Sequence, residues 1–243
     1  MGVSSGAAVG GSIAILLGWG AQAGFGKPVA GFVGGLVALS LVLTIARRNG
    51  VIARDSLILA GVVVGSFLSS MMMMVLLAAG QDTNQILRWL VGDVSNVPWS
   101  NVGLLMGTLI VGSSILLVQS RNLNALAFGE STARHMGVNV NRLVAIVLIT
   151  GTAMTAVTVG IAGIIGFVGL VAPHIARRVI GVDWRWSLPG SQRIGAGLLS
   201  LADIVAQRGL TTLTHIVGLE PPVGIVTAFV GAPVLLYLLK NKG

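Results

Sequence analysis

The segment LVAIVLITGTAMTAVTVGIAGIIGFVGLVAPHIARR, residues 143–178, carries no charge from Leu143 to Ala172 and then ends in Pro173, His174 and the pair Arg177 and Arg178. About thirty residues of helix would run about 45 Å, against a bilayer core of about 30 Å. Gly160, Gly163, Gly166 and Gly169 interrupt the run. It is either one tilted helix or two shorter spans, and the choice fixes the topology of everything around it.

The basic residues decide. Four stretches hold most of them: Arg47, Arg48 and Arg54; Arg121, Arg134 and Arg142; Arg177, Arg178, Arg185 and Arg193; Lys240 and Lys242. Lys27, Arg88 and Arg208 lie elsewhere. Two spans with a break near Gly160–Gly163 put all four stretches on one side of the membrane, as the positive-inside rule asks. One span would split them between two faces. Arg177 and Arg178 then mark a membrane border, since a charge at mid-bilayer costs about 2.5–3.5 kcal/mol on insertion scales. Pro173 is expected to kink or open the last turns before that border.

Composition fits this reading. The chain of 243 residues is 54% hydrophobic and 9% charged, against about 25% charged in soluble domains, and its mean hydropathy is +0.93. It is a membrane protein. The other apolar runs are 2–18, 29–46, 57–79, 99–118, 194–206 and 223–239, so the expected fold is all-α, a polytopic bundle of about eight transmembrane helices with both termini in the cytoplasm. The net charge of +8 is assigned to orientation and membrane lipid rather than to nucleic acid. With no cysteine, disulfide and thiolate chemistry and Cys-based zinc sites are excluded. The chain starts at once with GVSSGAAVGG and has no signal peptide before it; a chain that begins inside a helix reads as truncated.

Chemical motifs are few. GVSSG, residues 2–6, matches a nucleophile-elbow pattern but has no strand before it. Gly2, Gly6 and Gly10 instead have the spacing of a close helix–helix contact. His135, His174 and His215 have no second ligand at i+3 or i+4, so no metal site is expected. Asp203 is the one acid well inside an expected span. It is either an ion relay or a helix-end acid paired with Arg208 or backbone. Met71–Met74 point all round a helix and read as packing filler. There is no P-loop. The loop 123–142 is long for a helix connection. Within it a short helix is expected to begin near Glu130, where an acid suits the helix dipole, and to end at Gly137 in a left-handed cap.

Taken together, GFVGLVAPHIARRVIG (166–181), Asp183-Trp184-Arg185, LP at 188–189, LADIVAQ (201–207) and PVGIVTAFVGAP (222–233) resemble the FecCD-type permease family, the membrane subunits of ABC importers for iron–siderophores, haem and vitamin B12. GVSSGAAVGG resembles the family stretch after its second span. Gly129–Gly137 resembles its coupling loop.

The resemblance implies a single permease domain over 1–243 in a bacterial-type cytoplasmic (inner) membrane. Its spans would be three to ten of a ten-span fold, with the first two lacking. The implied partners are an ABC ATPase subunit, an extracytoplasmic substrate-binding protein and a second permease subunit, identical or not. The chain itself would be no enzyme and hold no cofactor, and its most frequent family cargo is an Fe(III)–siderophore. Gly129, Glu130, Ala133, Arg134 and Gly137 would couple to the ATPase. Pro173, His174, Arg177 and Arg178 would form a cytoplasmic helix end.

Gln207 or Arg208 would dock the binding protein, where the family often has an arginine at position 207. Ser66, Ser69 and Ser70 are candidates for the pathway. The family's R-L-P-R and N-P-L-A-[DE]-P stretches are missing from this sequence, and its usual D-H-R reads D-W-R. The rival readings are a secondary transporter or channel without ATPase and a non-functional permease fragment.

Overall fold

Small residues set the architecture. In the computed structural model, which describes residues 2–19, 26–48, 51–52, 54–94, 97–209 and 222–240, helix α1 (Val3–Leu16) lies against α2 (Gly26–Ala46). The contact is so close that a Cβ on Gly6 would collide with the Gly34 carbonyl, and one on Gly10 with that of Ala30. This is the small-residue packing expected of GVSSGAAVGG. Without a hydrophobic driving force in lipid, such backbone proximity supplies the dispersion contacts that hold helices together. Gly31 and Gly35 of α2 repeat it against Gly160 and Ala156, which belong to α8 (Val140–Ala162).

A two-residue antiparallel pair, β1 (Arg47–Arg48) with β2 (Val51–Ile52), closes the turn into α3 (Arg54–Ala78). Val9, Ala38, Val42, Leu57, Ala60, Val64 and Leu68 form one apolar cluster among α1, α2 and α3. The chain goes on through a 3-10 turn (Gly80–Asp82), α4 (Thr83–Leu90), α5 (Trp99–Val118), α6 (Ser120–Ala127) and α7 (Glu130–His135) to α8. After α8 come α9 (Val168–Val179), α10 (Trp184–Ile204), a π turn (Val205–Gly209) and α11 (Val223–Lys240). Among the described residues, four helices are long and apolar enough to cross a membrane: Gly26–Ala46, Asp55–Ala78, Trp99–Val118 and Val140–Ala162. The described residues form an all-helical architecture apart from the β1–β2 pair.

The long apolar segment does break. α8 stops at Ala162, and Gly163 takes φ 76°, a conformation open to glycine at little cost. A Cβ there would also strike the Trp89 carbonyl. The freed Ala162 carbonyl accepts from the Asp93 amide at 2.9 Å, and the Gly92 carbonyl accepts from Gly224 at 3.2 Å. These bonds satisfy backbone groups at a helix end where water is scarce.

Two expectations need correction beyond this point. After the break helix resumes at Val168, and it runs through Pro173 to Val179. The proline falls in the second turn, where it forfeits one bond, to Gly169, and does not open the turns after it. Residues 163–167 link α8 to α9 in non-helical form, with φ of 76° at Gly163 and 66° at Phe167.

The next helix starts ten residues before the expected Ile194. The Asp183 carboxylate accepts from the Arg185 amide at 2.9 Å and caps α10. Arg185 and Arg193, expected in a basic stretch between spans, lie in the first three turns of this helix. Two further helices, α4 and α6, were not expected at all. They are short and amphipathic, and they lie at opposite ends of the bundle.

Candidate functional site

The end of the bundle that carries Arg121, Arg134, Arg142, Arg177, Arg178 and Arg185 gathers α6, α7 and the α9–α10 turn. α7 is a single rigid turn and a half. Glu130 opens it and Ala133 is fully buried beneath it, while Ser131, Arg134 and His135 face outward. Gly137 has φ 81°. Its amide donates to the Arg134 carbonyl and the Val138 amide to that of Ala133, both at 3.0 Å, the paired bonds of a left-handed C-cap. The cap expected at Gly137 is thus present. Phe128 and Met136 flank the helix and are 75% and 62% exposed. Two large apolar side chains beside a basic helix end, at the charged end of the bundle, make a surface suited to a protein partner.

α6 ties this surface to the α9–α10 turn. Asn124 donates from Nδ2 to Asp183 Oδ1 at 2.7 Å, and its Oδ1 accepts from the Trp184 amide at 3.0 Å. Arg177 stacks over the Trp184 ring at 4.9 Å, a cation–π contact. The amide of Arg185, then the Asn124 side chain, hold the Asp183 carboxyl below its usual value, because both donate to its charged form. Arg178 is exposed, and Pro173 and His174 are half-buried within α9. Sequence reasoning missed Asn124. Its only signal was an amide within a polar helix, which any solvated loop also carries.

The other expected site residues lie apart from this end. Ser66, Ser69 and Ser70 are exposed on α3. The helical period sets Ser66 opposite the buried stripe of Leu57, Val64 and Leu68. Ser69 and Ser70 bond back to the carbonyls of Gly65 and Ser66, at 2.9 and 3.1 Å. Asp203 lies at the far end of α10, about 30 Å of helix from Trp184, and Gln207 lies in the π turn that follows. Gln207 Nε2 donates to Asp203 Oδ2 at 2.9 Å, a partner that the sequence did not suggest. Arg208 follows in the π turn, and His215 lies outside the described residues. Among the described residues, no three His, Cys, Asp or Glu converge on a metal position.

A family model described as the FecCD transport family matches residues 1–241. The chain belongs to the FecCD transport family. Within it, the chain is 39% identical over 242 residues to the cobalamin import system permease protein BtuC of Halobacterium salinarum, with all of this chain aligned to 63% of that protein. It is 35% identical to the Fe(3+)-citrate import system permease protein YfmE of Bacillus subtilis, over 88% of this chain and 62% of that one. It therefore spans somewhat under two thirds of the length of these FecCD relatives. A solved structure, an ABC transporter described as of metal-chelate type in an inward-facing conformation, superimposes with a TM-score of 0.87 at 30% identity. It covers 99% of this chain and 74% of that one.

Proposed function

We propose that this chain is the membrane-spanning permease subunit of an ABC importer. Its eight spans would be equivalent to spans three to ten of the family fold, both termini would be cytoplasmic, and it would pair with a second permease subunit. The observation that carries the reading is the α7 surface, a rigidly capped helix on a buried Ala133 with Phe128, Arg134 and Met136 exposed beside it. An ATPase subunit grips this surface, and its nucleotide-driven closure tilts the spans. Gln207 and Arg208, at the opposite end, dock an extracytoplasmic binding protein.

The cargo is a metal chelate. Fe(III)–siderophore is the first choice, passing between two subunits along the face that holds Ser66, Ser69 and Ser70. The names of the relatives favour a second choice, cobalamin. Asp203 is engaged by Gln207 rather than waiting for an ion, which supports this reading over a gradient-driven transporter.

The test is purification of the tagged full chain in mild detergent from its native membrane. A vanadate-sensitive ATPase is expected to accompany it, and to be lost when Glu130→Ala and Arg134→Ala are combined. Vesicles containing the complex and its binding protein, offered a labelled Fe(III)–hydroxamate and labelled cobalamin in parallel, then identify the cargo. A chain that carries no ATPase sinks the proposal.

A further inference from the structure

We infer that Asn124 is a positioning residue. With Asp183 it forms a latch through which movement of α6 and α7 reaches the α9–α10 hairpin. The inference rests on the importer reading above, which makes α7 the place where force enters.

The geometry of the latch is two-ended. Asn124 spends its amide nitrogen on the Asp183 carboxylate, at 2.7 Å, and its amide oxygen on the Trp184 backbone, at 3.0 Å. A planar side chain held at both ends fixes orientation as well as distance. A hydrogen bond to a charged acceptor is also stronger than a neutral one. On the hairpin side, Asp183 simultaneously accepts from the Arg185 amide, and the Arg177–Trp184 stack joins the last turn of α9 to the first turn of α10. A pull on Asn124 therefore acts on both helices of the hairpin.

A second polar bond points the same way. Gln192 Nε2 on α10 donates to Ser113 Oγ on α5 at 2.5 Å. α5 passes directly into α6 through Gln119, so α5 and α6 form one arm, and α10 is bonded to that arm at two levels. On its other side the hairpin meets α11 across an apolar cavity of about 400 Å³, lined by Phe167, Val171, Leu198, Val205 and Val230 among others. Apolar contacts are non-directional, and on this side the hairpin meets α11 closely at Phe167, which fills the space a Cβ on Gly231 would take. The hydrogen bonds to the arm fix direction as well as distance, so the hairpin is built to follow α5 and α6.

The absence of cysteine makes the test direct. Spin labels are placed on Leu17→Cys, at the end of α1, and Leu201→Cys, on α10. Both parent residues are well exposed and far from the latch. The complex with its ATPase is measured by pulsed EPR without nucleotide and with ATP and vanadate. In the otherwise unaltered chain the distance should shift by roughly 2–5 Å, the scale of helix shifts in switching proteins.

Asn124→Asp sets a second carboxylate against Asp183 and should abolish the shift while the ATPase stays bound. Adding Asp183→Asn returns one donor amide and one carboxylate to the pair, with an acceptor left for each backbone amide, and should restore the shift. If Asn124→Asp does not assemble, Asn124→Ala carries the same prediction. A shift that survives loss of the latch, or none in the unaltered chain, overturns the inference while ATPase capture stands. Failure to hold any ATPase overturns the importer reading and the latch together.

Discussion

The Val138 amide donates to the carbonyl of Ala133 at 3.0 Å, so the most exposed helix of the charged end is closed by backbone alone. The closure depends on Gly137, whose φ of 81° costs an L-residue about 1–2 kcal/mol. Gly137→Ala should therefore fray α7 and swing Arg134 and Met136 out of register. The expected outcome is a fall of about tenfold in ATPase retained during purification, with the melting temperature of the bundle almost unchanged. Gly137→Asn should lose less, since asparagine tolerates this region better. Immunoblotting of the co-purified ATPase measures both.

Close backbone contact between α1 and α2 yields a prediction of the opposite kind. A Cβ on Gly34 would overlap the Gly6 carbonyl, and neither helix has a flexible side chain there to give way. Gly34→Ala should destabilise the protein by about 1–3 kcal/mol, the usual range for overpacking. It should lower the midpoint of thermal unfolding in detergent without touching the α7 surface. An unchanged midpoint would mean that the two helices are further apart than described.

How much of this was legible in the sequence depended on which signal each element carried. The break near Gly163 was readable because charge placement and glycine spacing agreed. The cap at Gly137 was readable because glycine after a short polar helix has one common use. The early start of α10 was not, because Arg185 and Arg193 fell in a basic stretch that read as lying between spans, although Asp183 is an ordinary N-cap signal. α4 was hidden for a different reason. It is too short for periodicity to stand out, and only tertiary contact shows that Trp89 packs on Gly11. The Asn124–Asp183 pair joins residues 59 apart, which no local pattern reports.

Asp183 predicts a pH dependence. Its carboxyl is held below the usual carboxylate range by the Arg185 amide and then by Asn124. A depressed folded value means that its contribution is complete above the unfolded value and is lost as pH falls through the folded one. Thermal unfolding compared with Asp183→Asn, which keeps an acceptor but no charge, should show a constant difference at pH 5 and above. The difference should close below about pH 4. A difference that grows on acidification would reverse the sign and rule out the cap as its source.

The exposed serines on α3 can be tested by labelling. Ser66→Cys, Ser69→Cys and Ser70→Cys in the cysteine-free chain should react with a membrane-impermeant thiol reagent from outside, and added metal chelate with binding protein should slow the reaction. Leu68→Cys, on the buried stripe of the same helix, should stay unreactive. Equal inertness of all four would place this face against lipid instead of an aqueous path.

Asp203 separates the two transport classes most cleanly. Its carboxylate accepts from Gln207 at 2.9 Å, one turn along α10 and into the π turn. In that role the charge is dispensable, because an amide oxygen accepts the same bond. Asp203→Asn should leave ATP-driven uptake within about twofold of the parent, since a neutral hydrogen bond in place of a charged one costs about 1 kcal/mol or less at a half-buried site. Were Asp203 a proton or ion relay, the same substitution would remove the titrating group and abolish uptake. Uptake measured in vesicles with ATP inside and no ion gradient decides between them, because only the ATP-driven route survives both the substitution and the missing gradient.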